Sequence, residues 1–257
     1  MTDPLPTAIA AVLDRVGLPD ERDAPLPPEV TGELARLLLW WRSVSSQVVP
    51  TPGHVATPEA PRPASEAMAA GFAAADRAID SGATVIVPVP GPGDLRSART
   101  LIALLSRREA SSVLAQPEGM PDTNWMAECA AIRDAIRDAV DLRPDPLGLL
   151  DAVGGHRIAF LVGVLLESAA RRTPCLVDGT EPSAAALVAD RMSYRAKAWW
   201  REGATSTDPA RRMAVDRVDL TPGLPLGLAD ECGMGAAATL ALLPLAAVLA
   251  SAPPQRG

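Results

Sequence analysis

Lysine, tyrosine, phenylalanine, histidine and cysteine are all scarce in this 257-residue sequence, which has one lysine (Lys197), one tyrosine, two phenylalanines, two histidines and three cysteines. The cysteines, Cys129, Cys175 and Cys232, form no CxxC pair and are odd in number, which argues against a disulfide framework or a structural zinc. His54 and His156 stand alone, so no metal site is expected. Positive charge is also short, with a net charge of −7 and a pI near 4.9. No polybasic run occurs, which disfavours nucleic acid and anionic membrane surfaces as partners. The N-terminus has neither a basic n-region nor a long apolar h-region, so no secretory signal is expected and the reading is cytoplasmic. One stretch, Cys232 to Pro254, carries no charge and is long enough to span a bilayer. It is rich in Ala and Gly, contains Pro244, and lacks a basic flank or aromatic belt; a buried Ala-rich helix is the expectation.

What is present is a 48% hydrophobic, 21% charged chain, enough for one sizeable core. Helical spacing predicts helices over Pro4–Asp20 and Glu29–Ser46, followed by a Pro-rich, aperiodic linker over Val48–Ser65. Further helices are predicted at Ser65–Ser81, Leu95–Arg108, Asp122–Val140, Pro146–Ala152, His156–Arg172 and Pro182–Tyr194. Asp145 is a candidate N-cap with Pro146 in the first turn, and Thr180 is expected to cap the last of these helices. Strands are expected at Ala83–Val89, Ser111–Ala115 and Pro174–Val177. Strands alternating with helices imply an α/β fold: a layered parallel sheet flanked by helices, with a small helical subdomain from the N- and C-terminal segments. The expected organisation is a helical segment over 1–47, a linker over 48–65 and an α/β domain over 66–257.

Ligands of such sheets lie beyond the carboxyl ends of the strands, which gives weight to three Gly-containing segments, Val89–Asp94, Gln116–Asp122 and Asp178–Glu181; two further Gly-rich motifs precede helices. Pro90-Gly91-Pro92-Gly93-Asp94 joins a strand to a helix and reads either as a phosphate cradle or as an ordinary βα turn. Gly154-Gly155 precedes a helix and reads as a ligand approach or as a tight corner. Asp178-Gly179 ends a strand; its carboxylate either meets substrate or caps the next helix. Asp230-Glu231-Cys232-Gly233-Met234-Gly235 sets two acids before an apolar helix, as a general base or as an N-cap. Trp40-Trp41 and Trp199-Trp200 are expected in the core or at a dimer interface.

From about Ala69 onward the chain resembles the nicotinate-nucleotide:dimethylbenzimidazole phosphoribosyltransferases of cobalamin lower-ligand assembly. The stretches that carry the resemblance are Asp145-Pro-Leu, the run from Asp151 through Gly154-Gly155-His-Arg-Ile-Ala, the run from Ala169 to Asp178-Gly179, and Leu226 to Ala237. The resemblance implies a parallel α/β dimer that works without metal or cofactor. It implies a glycosyltransferase-type reaction in which the base nitrogen attacks the anomeric carbon of nicotinate mononucleotide and gives α-ribazole phosphate. Glu231 would be the general base, with Gly91, Gly93, Asp94, Arg96, Gly154, Gly155, Asp178, Gly179, Gly233 and Gly235 around the substrates. The departures are specific. Cys232 occupies the family's glutamate position and Glu231 sits one residue early. Val87 to Ala98 resembles the family's LGEMGIGNTTAA loop, but its Asn and two Thr are replaced by Asp94, Leu95 and Arg96, and the family's GDHGV segment has no counterpart. These changes equally suit an inactive homologue that binds a nucleotide, or one that pairs with an active paralogue.

Overall fold

The computed structural model describes residues 5–20, 26, 31–91, 95–116, 120–228 and 233–251. Two helices lead, α1 (Thr7–Arg15) and α2 (Gly32–Val44), followed by β1 (Pro52–Ala56), α3 (Ala64–Asp80), β2 (Val85–Val89), α4 (Arg96–Ser106) and α5 (Asp122–Ala139). Then come α6 (Pro146–Ala152), α7 (His156–Ala170), β3 (Cys175–Val177), α8 (Thr180–Met192), β4 (Trp200–Glu202) and β5 (Ala204–Ser206). The chain closes with α9 (Pro209–Val218), β6 (Leu224–Leu228) and α10 (Met234–Ser251).

Strands β1 to β4 form one sheet in sequence order, every neighbouring pair parallel. Helices cover both faces, so β2 and β3 are buried on each side and read as continuous apolar runs, VIVPV and CLV. Pro88 in β2 has no N–H to donate; the β2–β3 pairing registers only at Ile86↔Cys175, which spares the ladder that loss. Strands β5 and β6 make a separate parallel pair.

Beneath the sheet, α3 and α7 cross at Gly71 and Gly163. A Cβ at Gly71 would run into the Phe160 carbonyl oxygen, and one at Gly163 into the Met68 carbonyl oxygen. Helix α7 is buried along nearly its whole length, including Glu167, whose carboxylate receives Arg15 at 2.6 Å and ties α1 to the core. Burial pushes the Glu167 carboxyl up from its ordinary range, and Arg15 draws it part of the way back. Trp199 donates its indole N–H to the Gly17 carbonyl, a second anchor for the N-terminal segment.

Leu38 of α2 is buried with Ala246 and Ala247 of α10. No described helix is long and apolar enough to cross a membrane. All four Trp residues of the two pairs are buried.

Three local expectations change. Ser111–Ala115 is not a strand; Ala110–Val113 forms a 3₁₀ turn in which Val113 is buried without a strand partner. A short apolar run carries too little periodicity to separate these outcomes. The Pro-rich connection contributes the edge strand β1, where Gly53 is needed for packing: a Cβ there would meet the Ala83 Cβ at 2.7 Å and Ile86 Cδ1 at 3.0 Å. Thr180 is the first residue of α8, not its cap; Gly179, at φ +116°, holds the N-cap position. The segment β4–β6 with α9 carries no element in the sequence reading.

Asp145 does cap α6, with Oδ1 accepting the Gly148 N–H at 3.1 Å and Pro146 in the first turn. Asp145→Ala is expected to lower stability by about 1 kcal/mol, seen as a thermal midpoint roughly 2–4 °C lower. A midpoint unchanged from wild type would remove the cap from the account.

Candidate active site

The carboxyl ends of the sheet divide into an open half and a closed half. On the open half, β1 leads to Thr57 and β2 to Gly91. The Gly91 N–H donates to Thr57 Oγ1 at 2.7 Å, and Thr57 N–H donates to Val89 at 3.1 Å, so the two strand ends are laced together. Ser97, in the first turn of α4, donates its hydroxyl to the Val153 carbonyl at 2.7 Å and fixes the corner between α6 and α7. At that corner Gly154 is at φ +67°, a conformation L side chains rarely adopt. Gly155 packs on Leu150 and donates to its carbonyl at 2.8 Å.

These elements enclose a cleft of about 410 Å³, whose walls include Thr57, Glu59, Gly91, Ser97, Gly154, Gly155, His156, Arg157 and Glu181. The first turns of α4, α7 and α8 supply wall residues. First-turn N–H groups have no partner within their own helix and mark its positive end, so three such ends beside one cleft favour an anion. Arg157 forks onto Glu181, with Nε and Nη2 at 3.0 and 2.5 Å from Oε1, both side chains largely buried. A neighbouring hollow of about 550 Å³ shares Gly154, Gly155 and His156 and is otherwise walled by Pro61, Arg62, Pro63, Leu150 and Asp151. Asp151 Oδ1 accepts the Ala64 N–H at 2.7 Å and holds that wall to the start of α3. The double-glycine corner thus separates a polar hollow from a more apolar one.

On the closed half, β3 leads to Asp178 and β4 ends in Glu202, both buried. Asp178 Oδ1 receives Arg211 Nη2 at 2.5 Å, and Oδ2 accepts the Ala236 N–H of α10 at 3.0 Å. Arg211 Nη2 also donates to the Ala204 carbonyl at 2.6 Å, and its Nε lies 3.7 Å from Glu202 Oε1. Glu202 Oε2 accepts the Gly223 N–H at 3.1 Å. Burial pushes the Glu202 carboxyl up; the Gly223 N–H and Arg211 oppose this. Gly235 lets α10 begin this close, since a Cβ there would sit 2.7 Å from both the Ala204 Cβ and Asp178 Oδ1. Gly233 is at φ +76°.

Comparison with known proteins agrees with this architecture. A family described as "Phosphoribosyltransferase" matches residues 60–253. A nicotinate-nucleotide–dimethylbenzimidazole phosphoribosyltransferase from Streptomyces avermitilis is 42% identical over 190 residues, covering 73% of this chain and 51% of that protein. The enzyme of the same name from Mycobacterium ulcerans is 37% identical over 186 residues, covering 72% and 51%. The chain belongs to the nicotinate-nucleotide–dimethylbenzimidazole phosphoribosyltransferase family. It spans about half the length of the curated relatives it matches. In fold it is similar to CobT from Thermus thermophilus, with a TM-score of 0.73 at 22% identity, covering 95% of this chain and 96% of that one.

Of the residues that the phosphoribosyltransferase resemblance singles out, Gly91, Gly154 and Gly155 come together in the open cleft. Arg96 is drawn to Glu128 of α5, at 2.6 and 3.2 Å, and is not among the cleft's wall residues. Asp178 faces neither the open cleft nor the amide groups of α8: it anchors α10 instead, with Gly235 packed against it. Gly93, Asp94, Glu231 and Cys232, the last at the family's glutamate position, lie outside the described residues. Sequence reasoning assigned no role to Thr57, Ser97 or Arg157, and weighted Glu181 only as the end of the Asp178–Glu181 segment. Arg157 lies within the matched Gly-Gly-His-Arg run, so its place after two glycines at a helix start was the available signal; Glu181, also in a helix's first turn, carried a weaker one. Among the described residues no three His, Cys, Asp or Glu side chains are grouped as a metal site would need. The Cys175 thiol, wholly buried, is pushed up to about 12, which leaves it inert as a nucleophile.

Proposed function

We propose that this protein transfers a phosphoribosyl group from nicotinate mononucleotide to a benzimidazole-type base. The observation that carries the reading is the pair of adjoining hollows that share the Gly154–Gly155–His156 wall. A transfer between an anionic nucleotide and a flat apolar base needs two such compartments side by side. The phosphate lies at the α4 and α7 ends, where Gly91, Gly154 and Gly155 let backbone approach and Arg157, held in place by Glu181, is the guanidinium of the wall. The base lies against Pro61, Pro63 and Leu150. Glu231 removes the proton from the benzimidazole N–H, the ring nitrogen bonds to the anomeric carbon, and the bond to the nicotinate nitrogen breaks with its electron pair leaving on nicotinate. The product is α-ribazole phosphate. The names of the relatives from Streptomyces avermitilis and Mycobacterium ulcerans support these substrates.

A second reading is favoured by one observation: Cys232 stands where the family has its glutamate. On that reading the chain binds a nucleotide without turnover and acts beside an active paralogue. Incubation with nicotinate mononucleotide and dimethylbenzimidazole, read by mass spectrometry, separates the two. Product that disappears with Glu231→Gln supports transfer; no product at high enzyme concentration leaves the binding reading.

Arg157→Gln is expected to weaken nicotinate mononucleotide binding by about tenfold or more, the scale of one charge-assisted hydrogen bond. Arg157→Lys, which keeps the charge and loses the fork, should fall between. Titration calorimetry is the measurement, and equal affinities in all three proteins would take Arg157 out of the site.

A further inference from the structure

A second cleft lies on another part of the molecule, between the end of α4, the Ala110–Val113 turn and the outer face of α9. It has a volume of about 500 Å³, and its walls include Arg108, Arg212, Arg217, Ser106, Ser112 and Asp216. We propose that this cleft binds a small phosphorylated metabolite, separately from the site described above.

Charge is the first support. The chain is acidic overall, and several of its arginines are paired with carboxylates, as Arg15, Arg157, Arg171 and Arg211 are. Arg108, Arg212 and Arg217 are exposed, line one cleft, and make no ion pair within 4.0 Å among the described residues. Three guanidinium groups along one cleft repel one another, with Asp190 near Arg217 as a partial counter-charge. Asp216 is the sole acid in the wall, too little to neutralise them. A dianion with several acceptor oxygens relieves the repulsion, and guanidinium forks match phosphate geometry.

The second support is size and position. The volume lies in the range of small-molecule sites. The same helix faces two ways: Arg211, beside Arg212, pins Asp178 and through it the start of α10. An occupant on the outer face of α9 therefore sits one residue from the contact that holds the tail.

The test is titration calorimetry of the full chain with pyrophosphate, in wild type, in an Arg108→Gln/Arg212→Gln/Arg217→Gln triple variant and in Arg157→Gln. All three outer arginines are exposed, so the triple variant is expected to fold, checked by its thermal midpoint. Wild type should bind, the triple variant about tenfold or more weaker, and Arg157→Gln should keep that binding component. Asp216→Asn should tighten it, and added salt should weaken it. Binding in the triple variant equal to wild type, loss confined to Arg157→Gln, or no wild-type binding up to roughly 10 mM, a Kd in the weak millimolar range, would each overturn the proposal.

Discussion

Gly163→Ala is expected to destabilise the protein by about 3 kcal/mol or more, the upper range for forcing extra volume into a packed core. The added methyl has nowhere to go, because the atom facing it is the Met68 carbonyl oxygen, part of a helix backbone and not the tip of a flexible side chain. Relief requires α3 and α7 to part. Helix α7 is buried along nearly its full length and carries His156 and Arg157 at its N-terminal end, so parting also shifts the wall of the cleft. Gly71→Ala meets the same crossing from the other side, against the Phe160 carbonyl oxygen. The double variant should lose less than the sum of the singles, because one separation accommodates both methyls. Gly17→Ala is the control: nothing lies within 4 Å of its Cβ position, and it should be neutral or slightly stabilising. Urea unfolding followed by circular dichroism measures all four. A Gly163→Ala protein as stable as wild type would mean that the helices do not cross this closely.

Arg211→Met is expected to lower stability by about 3–5 kcal/mol near neutral pH, the scale of stranding a buried charge. Two buried carboxylates depend on this guanidinium, Asp178 at 2.5 Å and Glu202 at 3.7 Å. The loss should depend on pH, and its sign follows from Glu202. Burial already raises the Glu202 carboxyl in the folded protein. A raised carboxyl contributes stability that is fully present below the unfolded value and is lost as pH rises through the folded one. Removing Arg211 raises it further. The deficit of the variant is therefore largest above the raised value and shrinks as pH falls toward the ordinary carboxylate range. A deficit constant between roughly pH 8 and pH 5 would contradict this linkage. Adding Asp178→Asn to Arg211→Met should recover part of the loss. Amide exchange at Ala236, whose N–H is held by Asp178 Oδ2, should quicken in Arg211→Met before the sheet itself opens.

The clearest sequence signals were those with a local physical cause. Asp145 followed by Pro146 marks a helix start, because a carboxylate accepting a first-turn N–H and a proline fixed at helical φ act within four residues. VIVPV and PCLV read as buried parallel strands, since both faces of such a strand are covered. The edge strand Pro52–Ala56 was hidden because its proline and glycine signal a turn. Here the glycine serves a close approach to Ala83 and Ile86, which lie about thirty residues onward in the chain. Strands β4 to β6 and α9 were missed because each is short and part of their burial falls on Arg201, Glu202 and Arg211, residue types that read as surface.

By itself, then, the sequence determined the alternation of helix and strand, the family, and the glycine corner at 154–155, all written in local spacing and residue type. The tertiary structure decided which glycines border a cleft and which let backbones pack. Gly91 and Gly155 border an open cleft, whereas Gly71, Gly163 and Gly235 permit backbones to touch. It also turned Asp178 from a substrate-facing candidate into the anchor of α10, because the arginine that claims it is 33 residues away in the chain. A carboxylate at the end of a strand has the same local sequence in either role. Its partner, brought in by the fold, sets whether it meets solvent or a buried cation.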